Sequence, residues 1–220
     1  MWDWSYVLSL LPGLLRAFLV TIAATLAGFT AAAIIGLCFA LIGRSRFAPL
    51  RLAIRFIIEF IRSTPLLVQL FVLYYSLPML TPISLSAFAT GVIGLGLHYG
   101  AYLSEVYRSG IEALPRGQWE AAQALNLSRM RTWTSVVLPQ VVPPIIPVMG
   151  NYLIVILKET PTLSAITLVE VLLAAKNTAS VTYRVFEPYT IAGALFMAMS
   201  LALAFIVARI EKSMKRRYAG

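Results

Sequence analysis

The chain has 220 residues, of which 60% are hydrophobic and only 12% are charged, and its mean hydropathy is +0.83. Since a soluble domain is nearer half apolar and a quarter charged, this composition excludes an ordinary soluble protein and predicts a single all-α membrane domain. The net charge of +9 does not indicate a nucleic-acid-binding face, because the basic residues fall in clusters beside apolar runs, as in cytoplasmic loops.

The first apolar run, residues 17–42, is long enough to cross a bilayer as one helix, since about 20 helical residues suffice. Residues 1–15 precede it, and their aromatic-rich start favours a short helix at the membrane interface. A cleaved secretory signal is the competing interpretation, but a basic n-region is missing and the run is too long for a signal. We therefore expect an interfacial segment over residues 1–15, followed by the first span.

Four further apolar segments predict four further spans, at about residues 55–80, 85–106, 141–161 and 189–208. With five spans, every cluster of Arg and Lys falls on one side of the membrane, whereas an even number would divide the clusters between both faces. Basic residues favour the cytoplasmic side, so the N-terminus is predicted outside and the C-terminus in the cytoplasm. Residues 16–210 then form the transmembrane domain, and residues 211–220 form a basic cytoplasmic tail.

A polar loop at residues 115–140 separates the third and fourth spans and has the composition of a helix-turn-helix. Residues 119–125 favour helix, and Asn126 follows as one of the few residues that tolerate a positive φ at a turn. Ser128 is placed to cap a second helix, which we expect to end at Leu138 and Pro139. An ordinary amphipathic loop on the lipid headgroups is the alternative.

The same loop resembles the EAA loop of ABC-importer permeases, through which the membrane subunit binds its ATPase. The pattern is Glu-Ala-Ala, a turn residue after three more positions, and a later Leu-Pro, with Asn126 standing where the family has Gly. The resemblance implies coupling roles for Trp119, Glu120, Ala121, Ala122, Asn126, Leu138 and Pro139. It also implies a type I ABC-importer fold, with ATPase subunits, a second permease and a periplasmic or lipid-anchored solute-binding protein as partners.

Three other segments are similar to permeases that carry polar amino acids and opines, namely residues 62–70, 101–111 and 150–160. Details of the loop, of the fourth span and of the N-terminus are closest to the ectoine and hydroxyectoine permeases. The resemblance implies a bacterial inner-membrane importer of a zwitterionic solute, in contact with membrane lipid, that is driven by ATP hydrolysis on its partners and has no cofactor. Because the chain contains no phosphate-binding loop and no nucleophile–base pair, we expect that it is not an enzyme.

Polar residues near the start of the predicted second span mark one candidate part of the solute pathway, because such residues are costly in lipid. Glu59 and Arg62 are three residues apart on one helical face, so they can form a neutral pair. Pro65 removes a helical hydrogen bond and frees backbone groups beside it. The polar notch predicted there consists of Ser63, Thr64 and Gln69.

The second candidate part of the pathway is Lys158, Glu159 and Thr160, which precede Pro161 in the predicted fourth span. Pro161 is expected to break the helix, and transporters build solute sites from broken helices. Glu159 and Lys158 are suited to meet the cationic and carboxylate groups of a zwitterion. The equal alternative is that they pair with other charges of the protein and only stabilise the break.

Two other interpretations of the function stay open at this point. An ion-coupled secondary carrier would use Glu59, Glu105 and Glu159 as proton or sodium sites, although the chain is small and lacks an inverted repeat. A non-transporting membrane scaffold would not need a polar broken helix. His98 has no second metal ligand at suitable spacing, so it predicts a packing hydrogen bond rather than a metal site.

Overall fold

A computed structural model describes residues 2–218, without the side chains of residues 215–218, so Met1 and the end of the predicted tail lie outside it. Consecutive helical turns of different pitch are counted here as one segment. The described chain then forms α1 (Trp4–Gly43), α2 (Ala48–Arg62), α3 (Leu66–Leu80), α4 (Ala87–Glu112), α5 (Arg116–Ala124), α6 (Arg129–Ile166), α7 (Val171–Thr182) and α8 (Phe186–Tyr218). Over residues 2–218 the all-α prediction is confirmed.

Three of these helices, α1, α6 and α8, are long and apolar enough to cross a membrane, and the bent pair of α2 and α3 would make a fourth span. The 26 residues of α4 extend about 39 Å at 1.5 Å per residue, which is also sufficient length. Their composition is less apolar because α4 packs against other helices on much of its surface, where Gly, Thr, Ser and His replace lipid-facing residues.

The predicted second span is not one helix. α2 ends at Arg62, α3 begins at Leu66, and their axes differ by 104°. Pro65 lacks an amide proton and disfavours helix for the residue before it, so the first helix must end there. Two segments at this angle cannot both follow the membrane normal. We call residues 61–69 the elbow.

The N-terminal segment is also different from the prediction, because residues 4–15 are the first turns of α1 and not a separate interfacial helix. The Asp3 side chain caps α1 by accepting hydrogen bonds from the backbone amides of Ser5 and Tyr6, at 2.9 and 3.2 Å. Pro12 lies within the helix on an exposed turn without ending it.

In α6, neither predicted proline break interrupts the helix. A π turn over Thr132–Val137 precedes Leu138, so the hydrogen-bond register shifts just before Pro139 and accommodates its ring. At the other end, α-helix changes to a tighter 3-10 helix at Thr160, which places Pro161 in a first turn where no amide proton is needed. The prolines therefore change the pitch of α6 and leave it continuous.

Glycines of α4 pack inside the chain against α1. A methyl group at Gly96 would lie 2.8 Å from the Ala31 Cβ atom, and one at Gly100 would lie 2.9 Å from a methyl carbon of Ile35. On α1, a Cβ at Gly36 would lie 2.9 Å from the Gly100 carbonyl oxygen. The close approach of the two helices buries Leu95 and other apolar side chains of the main core. The predicted polar loop connects the C-terminal end of α4 to the N-terminal part of α6.

Candidate coupling surface and solute pathway

The turn of the polar loop has the hydrogen bonds that a helix C-terminus requires. Asn126 has a φ of 49°, as its sequence position predicted. Its amide donates to the Gln123 carbonyl at 2.9 Å, and the Leu127 amide donates to the Ala122 carbonyl at 3.0 Å. These two bonds form a Schellman motif, which satisfies the last carbonyls of α5. Asn therefore performs the role that Gly usually has.

The second helix of the loop begins as predicted. The Ser128 hydroxyl oxygen accepts from the Arg131 amide at 3.4 Å and so caps the N-terminus of α6. Farther along, the Gln140 side chain donates to the side-chain oxygen of Gln118 at 3.0 Å, which joins α6 to α5. The loop is thus stabilised by caps at its turn and by a side-chain bond across its base.

Trp119, a predicted coupling residue, anchors the loop to the rest of the permease together with Trp133. The Trp119 and Trp133 rings meet edge to face, with centroids 5.7 Å apart. Both pack on a cluster of buried side chains from the ends of α4 and α6, which are Ile111, Leu114, Val137, Val141 and Ile145. The Arg44 guanidinium, from the loop after α1, lies 6.0 Å from the Trp133 ring centroid. These contacts couple the loop to α1, α4 and α6 as one unit.

The outer surface of the loop is open and mixed in character. Leu125 and Met130 are 72% and 73% exposed, which is costly for large apolar side chains in a structure without a partner. Glu120 and Ala121 are also exposed, whereas Ala122 is buried. The remaining predicted coupling residues Asn126, Leu138 and Pro139 lie at the surface. We call the exposed residues Glu120, Ala121, Leu125, Asn126 and Met130 the coupling surface.

At the elbow, one side chain replaces the helical hydrogen bond that Pro65 removes. A regular helix would direct the amide of residue 65 to the Ile61 carbonyl, and here the Gln69 side-chain amide donates to that oxygen at 2.8 Å. Gln69 also donates to the Thr64 hydroxyl at 2.7 Å. Its carbonyl oxygen lies 3.2 Å from Nδ1 of His98, so α4 is joined to the elbow. Gln69 and Thr64 therefore brace the bend, while Ser63 is exposed.

A cluster of tyrosines lies beside the elbow, and the sequence analysis did not identify it. Tyr99, Tyr102 and Tyr152 form a triangle with ring centroids 6.2, 6.2 and 6.3 Å apart. Tyr99 is buried, and the other two are half-buried. His98 completes the group, with its ring 5.4 Å from that of Tyr102. The spacing of residues 99 and 102 on one helical face was a signal, but the contact with α6 is not visible in sequence.

Arg62 at the end of α2 turns its guanidinium to this cluster, at 5.3 Å from the Tyr102 ring centroid. Its predicted partner Glu59 is present but loose, since their closest N–O distance is 3.7 Å and the Glu59 side chain is 71% exposed. The predicted pairing of Glu59 with Arg62 is confirmed, although the distance is longer than that of a hydrogen bond. Arg62 therefore has both an acidic and an aromatic neighbour.

The three residues before Pro161 have different environments. Lys158 is exposed, Glu159 is half-buried, and Thr160 is fully buried with its hydroxyl donating to the Leu157 carbonyl at 2.7 Å. Among the described residues, no salt bridge involves Lys158 or Glu159. Glu159 follows Tyr152 by seven residues, which is about two turns of α6. Glu159 therefore lies on the same face of α6 as Tyr152, one of the three clustered tyrosines.

An open cavity of about 620 Å³ lies between the ends of α1, α2 and α4, and its polar lining includes Arg62 and Glu105. Arg108 donates to Glu105 and to Glu112 at 2.6 Å, so Glu105 is an ion-pair partner. The described residues contain no group of three or more His, Cys, Asp or Glu side chains suited to a metal ion. Glu59, Glu105 and Glu159 thus do not form one cation site in this part of the chain.

Comparisons with known proteins agree with this geometry. Residues 31–216 match the family described as binding-protein-dependent transport system inner membrane component. A probable amino-acid ABC transporter permease of Sinorhizobium fredii is 40% identical over 97% of this chain and 92% of its own length. A putative glutamine transport system permease of Rickettsia typhi is 34% identical over 94% of each chain.

A solved structure described as an amino acid ABC transporter with histidines has the same fold. It matches with a TM-score of 0.90 and 34% identity, over 97% of this chain and 99% of that chain. The chain therefore belongs to the binding-protein-dependent inner-membrane components of ABC transporters, as an amino-acid permease with the type I importer fold.

Proposed function

We propose that this permease moves a zwitterionic solute inward by alternating access, driven by ATP hydrolysis on ATPase subunits bound at the coupling surface. The observation that carries the proposal is the loop itself, whose exposed Leu125 and Met130 lie on a scaffold anchored by Trp119 and Trp133. A partner that moves the coupling surface would move the ends of α4 and α6 with it. The chain has no phosphate-binding loop, so we expect no ATPase activity from it alone.

In the proposed topology, five segments cross the membrane: α1, the bent pair of α2 and α3, α4, α6 and α8. The N-terminus is then outside and the C-terminus is in the cytoplasm. The charge distribution supports this arrangement, because the basic loop after α1, the coupling loop and the end of α8 come to one side. The turn at residues 78–82, which has no charge, comes to the other side.

Five spans enclose only half a pathway, so we propose a second permease as the other half. Exposed apolar side chains are numerous along α2, for example Leu52 and Phe56 at 71% each, which is compatible with lipid and with a second subunit. The resemblance to ectoine permeases favours a sister permease over an identical copy. A solute-binding protein outside the membrane would deliver the solute, in agreement with the name of the family.

For the solute, we propose ectoine or hydroxyectoine, with Glu159 in contact with its cationic group. The support is the resemblance noted above together with a half-buried carboxylate that has no ion-pair partner among the described residues. A charge inside a membrane domain usually faces a pathway or a partner charge. Lys158 and Thr160 are weaker candidates, because one is exposed and the other is bonded to its own helix.

The test is uptake of radiolabelled ectoine into proteoliposomes that contain the permease pair, its ATPase and its binding protein. We expect uptake to require internal ATP and the binding protein, and to be unchanged when proton and sodium gradients are dissipated. The matched control replaces the ATPase by a variant that binds but does not hydrolyse ATP. Uptake by the permease chain alone in response to an ion gradient would instead support the secondary carrier.

A further inference from the structure

The open cavity of about 620 Å³ between the ends of α1, α2 and α4 has an excess of positive charge. Its charged lining consists of four arginines and three glutamates, namely Arg44, Arg55, Arg62, Arg108, Glu59, Glu105 and Glu112. Arg108 donates to both Glu105 and Glu112 at 2.6 Å. Arg62 lies 3.7 Å from Glu59. The three carboxylates are thus matched to two of the arginines, and the lining keeps a net charge of +1.

The other two arginines of the cavity, Arg44 and Arg55, have no carboxylate partner in the described part of the chain. Neither takes part in a salt bridge with a described residue, and both are exposed. The nearest aromatic contact of Arg44 is the Trp133 ring, at 6.0 Å from the guanidinium. Each guanidinium has five donor protons in a planar fork, which suits the oxygens of a phosphate. An oxyanion is therefore the class of ligand that these two side chains can bind.

An apolar stripe borders the charged residues on α2. Leu52 and Phe56 line the same cavity, and each is 71% exposed. Phe60 continues the stripe one turn later, and its ring stacks on that of Phe56 with the centroids 6.5 Å apart. Because Arg55 and Phe56 both line the cavity, a ligand there meets positive charge and apolar surface together. This combination fits an amphiphile, whereas a free anion would not need the apolar part.

The position of α2 favours a membrane lipid as that amphiphile. In the proposed topology, the basic loop after α1 lies at the cytoplasmic surface, and α2 begins directly after this loop. The axis of α2 differs by 104° from that of α3, so the two segments cannot both follow the membrane normal. A helix with arginines on one face and Leu and Phe on the other suits the boundary between headgroups and acyl chains. Anionic headgroups of the cytoplasmic leaflet are then within reach of the cavity.

We propose that this cavity is a binding site for an anionic phospholipid of the cytoplasmic leaflet, in which Arg44 and Arg55 bind the phosphate. The acyl chains lie along Leu52, Phe56 and Phe60. One lipid thereby neutralises the excess positive charge of the lining and covers the exposed apolar stripe. The site takes its depth in the membrane from the proposed topology, and it goes beyond the proposed function because it involves neither the solute nor the ATPase.

The test measures lipid binding to the purified full chain in detergent by native mass spectrometry. The probes are dioleoylphosphatidylglycerol, which is anionic, and dioleoylphosphatidylcholine, which has the same chains and phosphate but no net charge. Inorganic phosphate is the third probe, because it supplies the anion without the chains. We expect the chain to bind phosphatidylglycerol at least about tenfold more tightly than phosphatidylcholine, and inorganic phosphate to leave the lipid bound. Displacement of the lipid by inorganic phosphate would indicate a free-anion site and overturn the proposal.

Two double variants with the same loss of charge locate the site. Arg44→Gln with Arg55→Gln should weaken phosphatidylglycerol binding by about tenfold to a hundredfold, the range for one charge-assisted hydrogen bond, and leave phosphatidylcholine binding unchanged. Arg46→Gln with Arg51→Gln is the matched control, because these arginines belong to the same loop and helix but do not line the cavity. We expect the control to bind both lipids as wild type does. Equal weakening in the two double variants, or no preference for phosphatidylglycerol in wild type, would overturn the site.

Two variants of Phe56 test the apolar stripe, and both should fold normally because this side chain is 71% exposed. Phe56→Leu keeps the apolar surface and should bind phosphatidylglycerol as wild type does, whereas Phe56→Gln should bind it several-fold more weakly. Equal binding by the two variants would contradict the role of the stripe. Phosphatidylglycerol bound to monomers but absent from dimers would show that a second permease covers α2 instead. Since none of these measurements needs ATP, solute or a binding protein, they succeed or fail independently of the proposed import.

Discussion

The coupling loop and the elbow are both helical turns, but they are stabilised in opposite ways. At the loop, the turn at Asn126 is closed by bonds to Gln123 and Ala122, all within a few residues. At the elbow, the Ile61 carbonyl accepts from the Gln69 side chain eight residues away as well as from nearby Thr64, and Gln69 contacts His98 of another helix. A local turn can stay exposed and bind a partner, whereas a bend braced through the core is fixed in place.

The two regions also differ in what they expose. The loop exposes apolar side chains with few polar contacts, which suits protein binding, while the elbow brings Arg62 to half-buried tyrosines, which suits a small polar solute. The anchored tryptophans are the physical link on the loop side, because they rest on the same helices that form the pathway. Variants at each region should therefore have separable effects on stability and transport.

The largest expected effect comes from a pair of adjacent alanines. Ala122 is 2% exposed and Ala121 is exposed, so Ala122→Arg buries an unpaired charge and should destabilise the protein by roughly 3 kcal/mol or more. Ala121→Arg should change stability by no more than about 0.5 kcal/mol, because it lies at the surface. The thermal unfolding midpoint in detergent measures both.

The same pair tests the coupling surface. Ala121→Arg places a long charged side chain on the proposed ATPase contact, so ATP-driven uptake should fall at least about tenfold, the equivalent of about 1.4 kcal/mol in binding. Co-purification with the ATPase subunits is measured alongside. Normal ATPase binding by a folded Ala121→Arg variant would show that the exposed side of α5 is not the contact.

The second prediction concerns the brace of the elbow. Gln69→Leu removes the donor to the Ile61 carbonyl and the Thr64 hydroxyl and the acceptor beside His98, which should cost about 1–2 kcal/mol even though the Ile61 carbonyl still accepts from Thr64. Gln123→Leu, on the exposed side of the coupling loop, is the matched control and should change stability by about 0.5 kcal/mol at most. Equal unfolding midpoints for the two variants would show that the tertiary contacts of Gln69 do not stabilise the elbow.

The third prediction tests the local turn alone. Asn126→Val puts a β-branched residue at a φ of 49°, which should cost about 1–2 kcal/mol, while Asn126→Gly should be neutral or slightly stabilising. Hydrogen exchange of the Leu127 amide reports the loss directly. We expect Asn126→Val to leave hydrogen exchange at the elbow unchanged, and a change there would mean that the regions are not separable.

The smallest expected effect is at the N-terminus. Asp3 makes local hydrogen bonds at the start of α1 and a tertiary ion pair with Arg184. Hydrogen bonds from the Ser5 hydroxyl, the Tyr6 amide and Arg184 hold the pKa of Asp3 at about 2 instead of 3.8. Since the folded pKa is the lower one, folding favours the ionised carboxylate. Its contribution is fully present above pH 3.8 and is lost as the pH falls through about 2.

Asp3→Asn is the variant that measures this contribution. Its thermal midpoint should lie slightly below that of wild type at pH 6, and the difference should shrink as the pH falls toward 2 and vanish below it. Ser9, which bonds only within its own helix, supplies the control as Ser9→Ala. A difference between Asp3→Asn and wild type that does not depend on pH would assign the effect to lost geometry and not to charge.

Local features of the structure follow well from sequence, because local chemistry determines them. The turn at Asn126, the cap at Ser128 and the pairing of Glu59 with Arg62 are all present. Expectations about proline were less successful, since Pro139 and Pro161 change the pitch of α6 without ending it. Whether a helix forms a π turn or a 3-10 turn at a proline depends on the residues around it. The presence of proline alone therefore does not predict whether the helix ends or only changes pitch.

The sequence by itself determined the membrane class, the coupling loop and its turn, because apolar composition and short-range hydrogen bonds do not depend on distant contacts. Only the tertiary structure decided the 104° elbow, the tyrosine cluster and the pairing of Arg62 with that cluster. These features join α2, α4 and α6, and glycines allow α4 to pack closely on α1 in the same core. The contact of Arg62 with the Tyr102 ring therefore depends on how two helices pack, and no local sequence pattern predicts it.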